Sequence, residues 1–174
     1  LVIEASTDIE SAILAWGTDP SRVFDFAEEK SRIEVKTTRA QVRRHWFSIS
    51  QLLGAEGCNV AVCSVMVQEV ADGQSVLGLF EEILGRAPLT GKAYEHAVSR
   101  AGRFLQSPMA ASLTFDREQA AASIRVYEFR HVPKPVPSLG VVDLKWQADL
   151  EIATPVIGGK CTNTLVQRMR VPAH

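Results

Sequence analysis

The sequence of 174 residues predicts an α/β fold in which helices cover a mixed β-sheet, and three observations lead there. Residues 8–16 place Ile9, Ala12, Ile13 and Trp16 at the i, i+3, i+4, i+7 spacing of one helical face. Residues 32–38 alternate instead: Ile33, Val35 and Thr37 point one way, and Glu34, Lys36 and Thr38 the other. Residues 59–70 form a nearly continuous apolar, β-branched run, which suits a central strand covered on both faces.

In chain order, Leu1–Glu4 reads as the tail of a helix. The 8–16 helix is capped by Thr7 or Asp8 and stopped by Gly17 and Pro20. Residues 22–26 and 32–38 read as a hairpin joined by a four-residue connection, 27–30, and 45–50 as a third strand. After the central run, Ala71-Asp72-Gly73 is expected to turn the chain. Ser75 then caps a helix to about Leu84, with Gly85 ending it. Residues 90–105 space Ala93, Ala97, Ala101 and Leu105 for one face of another helix. Three strand-like segments follow, 122–132, 141–152 and 162–171, the first two separated by the stiff Val-Pro-Lys-Pro-Val-Pro of 132–137.

Composition removes several classes. Hydrophobic residues at 46% and charged residues at 22% are globular values, so disorder and coiled coil are excluded. A net charge of −1 argues against a wholesale polyanion binder and confines any nucleic-acid contact to a local patch. The three cysteines, Cys58, Cys63 and Cys161, contain no CxxC and stand at no ligand spacing to the four histidines, so they read as small buried hydrophobes. No run of 18 apolar residues and no signal-peptide pattern is present, and the expectation is a soluble, cytoplasmic chain without a membrane partner. Gly54–Gly57 lacks the Lys-Ser/Thr of a phosphate loop and reads as a turn, as does Gly158-Gly159-Lys160. Trp16, Trp46 and Trp146 read as packing residues rather than base-stacking platforms.

The chemistry concentrates in Val23-Phe24-Asp25-Phe26 and Arg32-Ile33-Glu34-Val35-Lys36-Thr37. Glu34 and Lys36 leave one strand face about 7 Å apart, and Asp25, on the neighbouring strand, can converge on that face. Two carboxylates and an intervening backbone carbonyl make the oxygen-rich set that Mg²⁺ prefers, and a lysine beside it can orient an attacking water. Glu-x-Lys on a strand is also a common solvated pattern. The surroundings weigh against that reading: Lys30–Trp46 holds six Lys and Arg against Glu34 alone, a local charge of +5 in a near-neutral chain.

Asp25 followed by Glu34-Val35-Lys36 resembles the PD-(D/E)XK nuclease superfamily, of restriction-endonuclease-like fold. The longer run through Phe24-Asp25-Phe26, Ile33–Thr38, His45 and Ser48–Leu52 is similar to the bacterial PD-(D/E)XK motif proteins of restriction and phage-defence gene clusters. The resemblance covers most of residues 1–150. It implies a restriction-endonuclease-like mixed β-sheet flanked by α-helices and Mg²⁺-dependent DNA endonuclease activity, with Mn²⁺ as the other candidate ion. It assigns Asp25, Glu34 and the Val35 carbonyl as metal ligands, Lys36 as catalytic lysine and Gln51 as an accessory near the scissile phosphate. Arg39, Arg43, Arg44 and His45 are the candidate DNA contacts, from the basic run beside this site. DNA is the implied partner, with further subunits of a defence system and a second copy of the chain as additional candidates.

Phe24 stands where the family name has Pro. The superfamily's further glutamate, from a helix ahead of the hairpin, is expected before residue 1, with Glu4 or Glu10 as substitutes. The whole of 1–174 reads as one nuclease-like domain that lacks an N-terminal portion. A catalytically silent DNA-binding or scaffold subunit with the same fold is the alternative function.

Overall fold

A computed structural model describes residues 1–17, 23–86, 90–141, 143–156 and 163–170. Among them the chain runs α1 (Val2–Ala5), α2 (Ile9–Ala15), β1 (Phe26–Glu28), β2 (Ser31–Thr38), β3 (Arg44–Ser48), α3 (Ile49–Gly54), β4 (Asn59–Met66) and β5 (Glu69–Ser75). It continues with α4 (Val76–Arg86), α5 (Gly91–Leu105), α6 (Pro108–Ser112), β6 (Thr114–Phe115), α7 (Arg117–Ala122), β7 (Arg125–Glu128), β8 (Lys145–Asp149) and α8 (Thr164–Gln167). Short 3₁₀ turns follow β7 and β8.

The expected mixed α/β architecture is present. Four strands form the main sheet in the order β1-β2-β4-β7, with β2 parallel to β4 and the outer pairs antiparallel. Val60–Val65 of β4 are all buried, as the apolar run predicted for a strand with both faces covered. On one face Ile33, Ala61, Cys63, Val65 and Val126 pack with Ile13 of α2, Leu79 and Ile83 of α4, and Ala93 and Ala97 of α5. The alanine stripe of α5 gives α2 a close approach, since small side chains keep the helix axes near. On the other face Val60, Val62 and Tyr127 pack with Phe47 and Phe129.

Helix starts follow their capping signals. Asp8 accepts the Ser11 amide at 3.0 Å to start α2, and Ser75 Oγ accepts the Gly78 amide at 3.0 Å to start α4. Asn163 caps α8 and its Nδ2 donates to the carbonyls of Arg32 (2.7 Å) and Asn59 (2.6 Å), tying that helix to the ends of β2 and β4.

Several expected elements are corrected. The hairpin connection is the two-residue Glu29-Lys30, with Glu29 at φ 45°, because β1 begins only at Phe26 and still pairs at Glu28↔Ser31. The stretch 45–50 is divided: β3 ends at Ser48, where α3 takes over, and β3 pairs with β8 in a separate two-stranded ribbon. The 59–70 run is two strands, and Ala71–Gly73 continues β5 rather than turning. Gly73 is required there, because a Cβ would meet the Phe115 carbonyl oxygen of β6 at 2.5 Å. The α4 helix runs through Gly85 to Arg86. The 122–132 segment contains only the four-residue β7 after α7, and the 162–171 segment, where described, forms α8 instead of a strand. Cys161 and the Gly158–Lys160 turn lie outside the described residues.

Candidate functional site

The site is built at the edge of β2 where β1 has not yet begun. Paired residues of β1 start at Phe26↔Ile33, so the next outward-facing backbone group of β2, at Val35, has no strand partner on that side among the described residues. Asp25 fills the place: its Oδ2 accepts the Val35 amide at 2.8 Å. The N–H and C=O of one strand residue leave on the same side. The Val35 carbonyl therefore shares the edge to which the Asp25 carboxylate is fixed.

Glu34 and Lys36 lie on the β2 face toward the Phe47 cluster, opposite Val62 and Ser64 of β4. Glu34 is 7% exposed. Its Oε1 accepts from Lys36 Nζ at 2.7 Å and from Gln51 Nε2 at 2.5 Å. Burial pushes the Glu34 carboxyl above its ordinary value; Lys36 and Gln51 oppose that rise, and the Asp25 charge adds to it. The Lys36 ammonium stands over the Phe47 ring, 5.1 Å from its centroid, which holds it on the same face.

Gln51 reaches Glu34 because α3 begins with a capping box. Ser48 is the N-cap, and its amide donates to Gln51 Oε1 at 3.0 Å. With the oxygen so engaged, the amide nitrogen faces Glu34. Gln51, expected as an accessory near the scissile phosphate, contacts the Glu34 carboxylate.

The basic run is largely engaged within the chain. Arg43 is 2% exposed; it donates from Nη1 to the Ser64 carbonyl and hydroxyl at 3.0 Å each, and from Nη2 to the Ser123 carbonyl. His45 is buried with Nε2 at 2.8 Å from Ser64 Oγ, and burial, helped by the Lys36 and Arg43 charges, lowers its pKa to about 4. The expected DNA contacts by Arg43 and His45 are thus corrected: a guanidinium and a neutral imidazole committed to the core cannot meet a strand at the surface. Arg39 and Arg44 are exposed, paired with Glu69 at 2.5 Å and Asp149 at 3.1 Å. Glu4 is bound by Arg117 and Glu10 accepts from Thr90 Oγ1 at 2.6 Å, so neither of the substitutes for an upstream glutamate is brought to Glu34 by a described contact.

The donor set suits a hard cation. Among the described residues no group of three His, Cys, Asp or Glu side chains gathers as a metal cluster. Two carboxylates with one carbonyl match the way Mg²⁺ is usually held, by one or two carboxylates with waters completing the octahedron.

A family model described as "Putative PD-(D/E)XK family member, (DUF4420)" matches residues 1–151. The chain belongs to the DUF4420 family. Asp25, Glu34, Lys36 and Gln51 all lie within the matched span, and the four-stranded mixed sheet with its helices is compatible with the restriction-endonuclease-like fold of the PD-(D/E)XK superfamily. No curated protein and no solved structure matches the chain. The DUF4420 match ends before α8, which nevertheless braces β2 through Asn163. No helix among the described residues is long and apolar enough to cross a membrane.

Two placements in β3 escaped the sequence reading. Phe47, the platform for Lys36, carried only an apolar-strand signal. Trp46, expected to pack, is 61% exposed. The parity of β3 contains both answers: residues of one parity, His45 and Phe47, go in, and Arg44 and Trp46 go out.

Proposed function

We propose that the chain is a divalent-metal-dependent endonuclease that hydrolyses phosphodiester bonds in DNA, acting in the cytoplasm in bacterial restriction or phage defence. The observation that carries this reading is the convergence at Val35: the Asp25 carboxylate held on its amide, its carbonyl on the same edge, and Glu34 repelled by Asp25 and bound to Lys36. The defence role rests on the sequence resemblance alone.

Asp25, Glu34 and the Val35 carbonyl would hold Mg²⁺ or Mn²⁺. The ion, when bound, supplies Lewis-acid stabilisation of charge on the phosphate and leaving oxygen and a more acidic water. Lys36 orients the attacking water and, as a cation beside the phosphate, offsets its charge. Gln51 holds the Glu34 carboxylate in place, and Phe47 limits where the Lys36 ammonium can go. Arg39 and Arg44, in exposed and therefore weak ion pairs, can exchange their carboxylates for phosphates. One site cuts one strand, so a double-strand break takes a second copy or two successive nicks.

A catalytically silent DNA-binding subunit is the second reading, favoured by the bonds that Glu34 Oε1 already makes to Lys36 and Gln51. Plasmid incubated with the wild type and with Lys36→Ala, each with Mg²⁺ or with chelator, separates the two. The nuclease reading predicts nicking by the wild type with Mg²⁺ only. Salt-sensitive binding with no nicking under any condition supports the silent subunit, and equal nicking by both proteins removes Lys36 from the mechanism.

A further inference from the structure

The β3–β8 ribbon has an inner face that packs on the core and an outer face of which the reading above uses Arg44 alone. Phe47 and Trp146 stack on the inner side with ring centroids 5.7 Å apart. On the outer side Trp46 is 61% exposed, opposite Gln147 in the antiparallel register. Arg44 precedes it by two residues on the same face, and Lys145 is its diagonal neighbour across the ladder; each is about 7 Å away. Arg44, Lys145 and Gln147 are exposed, and the carboxylate of this face, Asp149, is held by Arg44 at 3.1 Å. A large flat ring between two cations and an amide complements a nucleobase between two phosphates. The ribbon also leads directly to the chemistry: Ser48 ends β3, and its amide is gripped by the Gln51 that binds Glu34.

We propose that this face is a stacking platform for an unpaired base, with Trp46 against the base and Arg44 and Lys145 on the flanking phosphates. The substrate class is then DNA with a single-stranded stretch beside the cleavage point. In an intact duplex the base faces are covered by their neighbours and an indole meets only edges; a single strand offers each face to an aromatic ring. The inference rests on the nuclease reading of Asp25, Glu34 and Lys36.

The test uses the full chain in chelator, titrated with a dye-labelled oligothymidylate and with a blunt duplex, reading dye anisotropy for affinity and tryptophan emission for contact. The wild type is expected to bind the single strand more tightly than the duplex, with quenched emission. Trp46→Ala should weaken single-strand binding about tenfold, and Trp46→Phe should recover part of that loss while abolishing most of the quenching. Far-UV circular dichroism verifies that both variants fold, as a surface substitution should. Unchanged single-strand affinity in Trp46→Ala, or no quenching in the wild type, overturns the proposal. So does a loss of self-association in Trp46→Ala with oligonucleotide affinity intact, which makes the face a protein interface. Mg²⁺-dependent nicking of duplex that ignores Trp46 removes the platform and leaves the nuclease; quenching without any cleavage removes the nuclease and leaves the platform.

Discussion

The side-chain amide of Gln51 donates to Glu34 Oε1 at 2.5 Å while its own oxygen accepts the Ser48 amide at 3.0 Å. One residue thereby closes the capping box of α3 and fixes the orientation of a buried carboxylate on β2. Gln51→Leu keeps the bulk and removes both bonds. Losing the cap should cost about 1 kcal/mol in urea unfolding. Losing the bond that orients the Glu34 carboxylate should weaken Mn²⁺ binding about 10–100-fold by calorimetry. A loss of stability with unaltered Mn²⁺ affinity would separate Gln51 from the site.

Glu34 itself should burden the metal-free fold. Its carboxyl is raised above the ordinary value by burial. Only between the unfolded and the folded pKa does the folded chain keep a proton that the unfolded chain releases, so the stabilising contribution, complete below the unfolded pKa, is lost as pH rises through the folded one. At neutral pH in chelator, Glu34→Gln should unfold at a higher temperature than the wild type. Mg²⁺ should then raise the midpoint of the wild type but leave the variant unmoved. A variant that melts lower in chelator contradicts this account of the carboxyl.

His45 carries the opposite sign. Its pKa falls from 6.5 to about 4, so its contribution is present above the unfolded value and lost as pH falls through the folded one. At 1.36 kcal/mol per pH unit the loss between those values is about 3 kcal/mol. Urea unfolding at a series of pH values should show it, and His45→Asn should flatten the curve between pH 6.5 and 4 relative to the wild type. A parallel curve in the variant would show that other groups set the acid limit.

Arg43 and Arg44 are adjacent and should behave as opposites. Arg43→Ala strips the buried Ser64 carbonyl and the half-buried Ser123 carbonyl of their guanidinium donor and should cost on the order of 3 kcal/mol. Arg44→Ala should leave the unfolding midpoint where it was, yet weaken DNA binding and lower its salt dependence by about one ion. A stable Arg43→Ala protein that has lost DNA affinity would restore the surface role that burial removes.

The division between those two arginines also marks what the sequence made legible. The alternation of Ile33, Glu34, Val35 and Lys36 identified β2 and its faces, because a strand half covered by core must segregate its side chains. The same rule applied to 43–47 would have sent Arg43 and His45 inward with Phe47, but clustered positive charge suggested a surface. Ser48 and Gln51 form a Ser-x-x-Gln capping signal that places the helix start at Ser48, inside the stretch 45–50 read as strand. In 162–171 the β-branched composition outweighed the Asn163 cap, whose side chain shows its purpose only once β2 and β4 lie beside it. The contact between Asp25 and the Val35 amide depends on where β1 starts, a tertiary matter that spacing alone does not express.

The central claim is that Asp25, Glu34 and the Val35 carbonyl hold one divalent ion, and crystals soaked in Mn²⁺ test it most directly through anomalous density. The account predicts a single peak about 2.1 Å from one oxygen of each of the three groups, with Lys36 beside it. Density elsewhere, or none while Lys36 and Gln51 keep Glu34 as it is, contradicts the account.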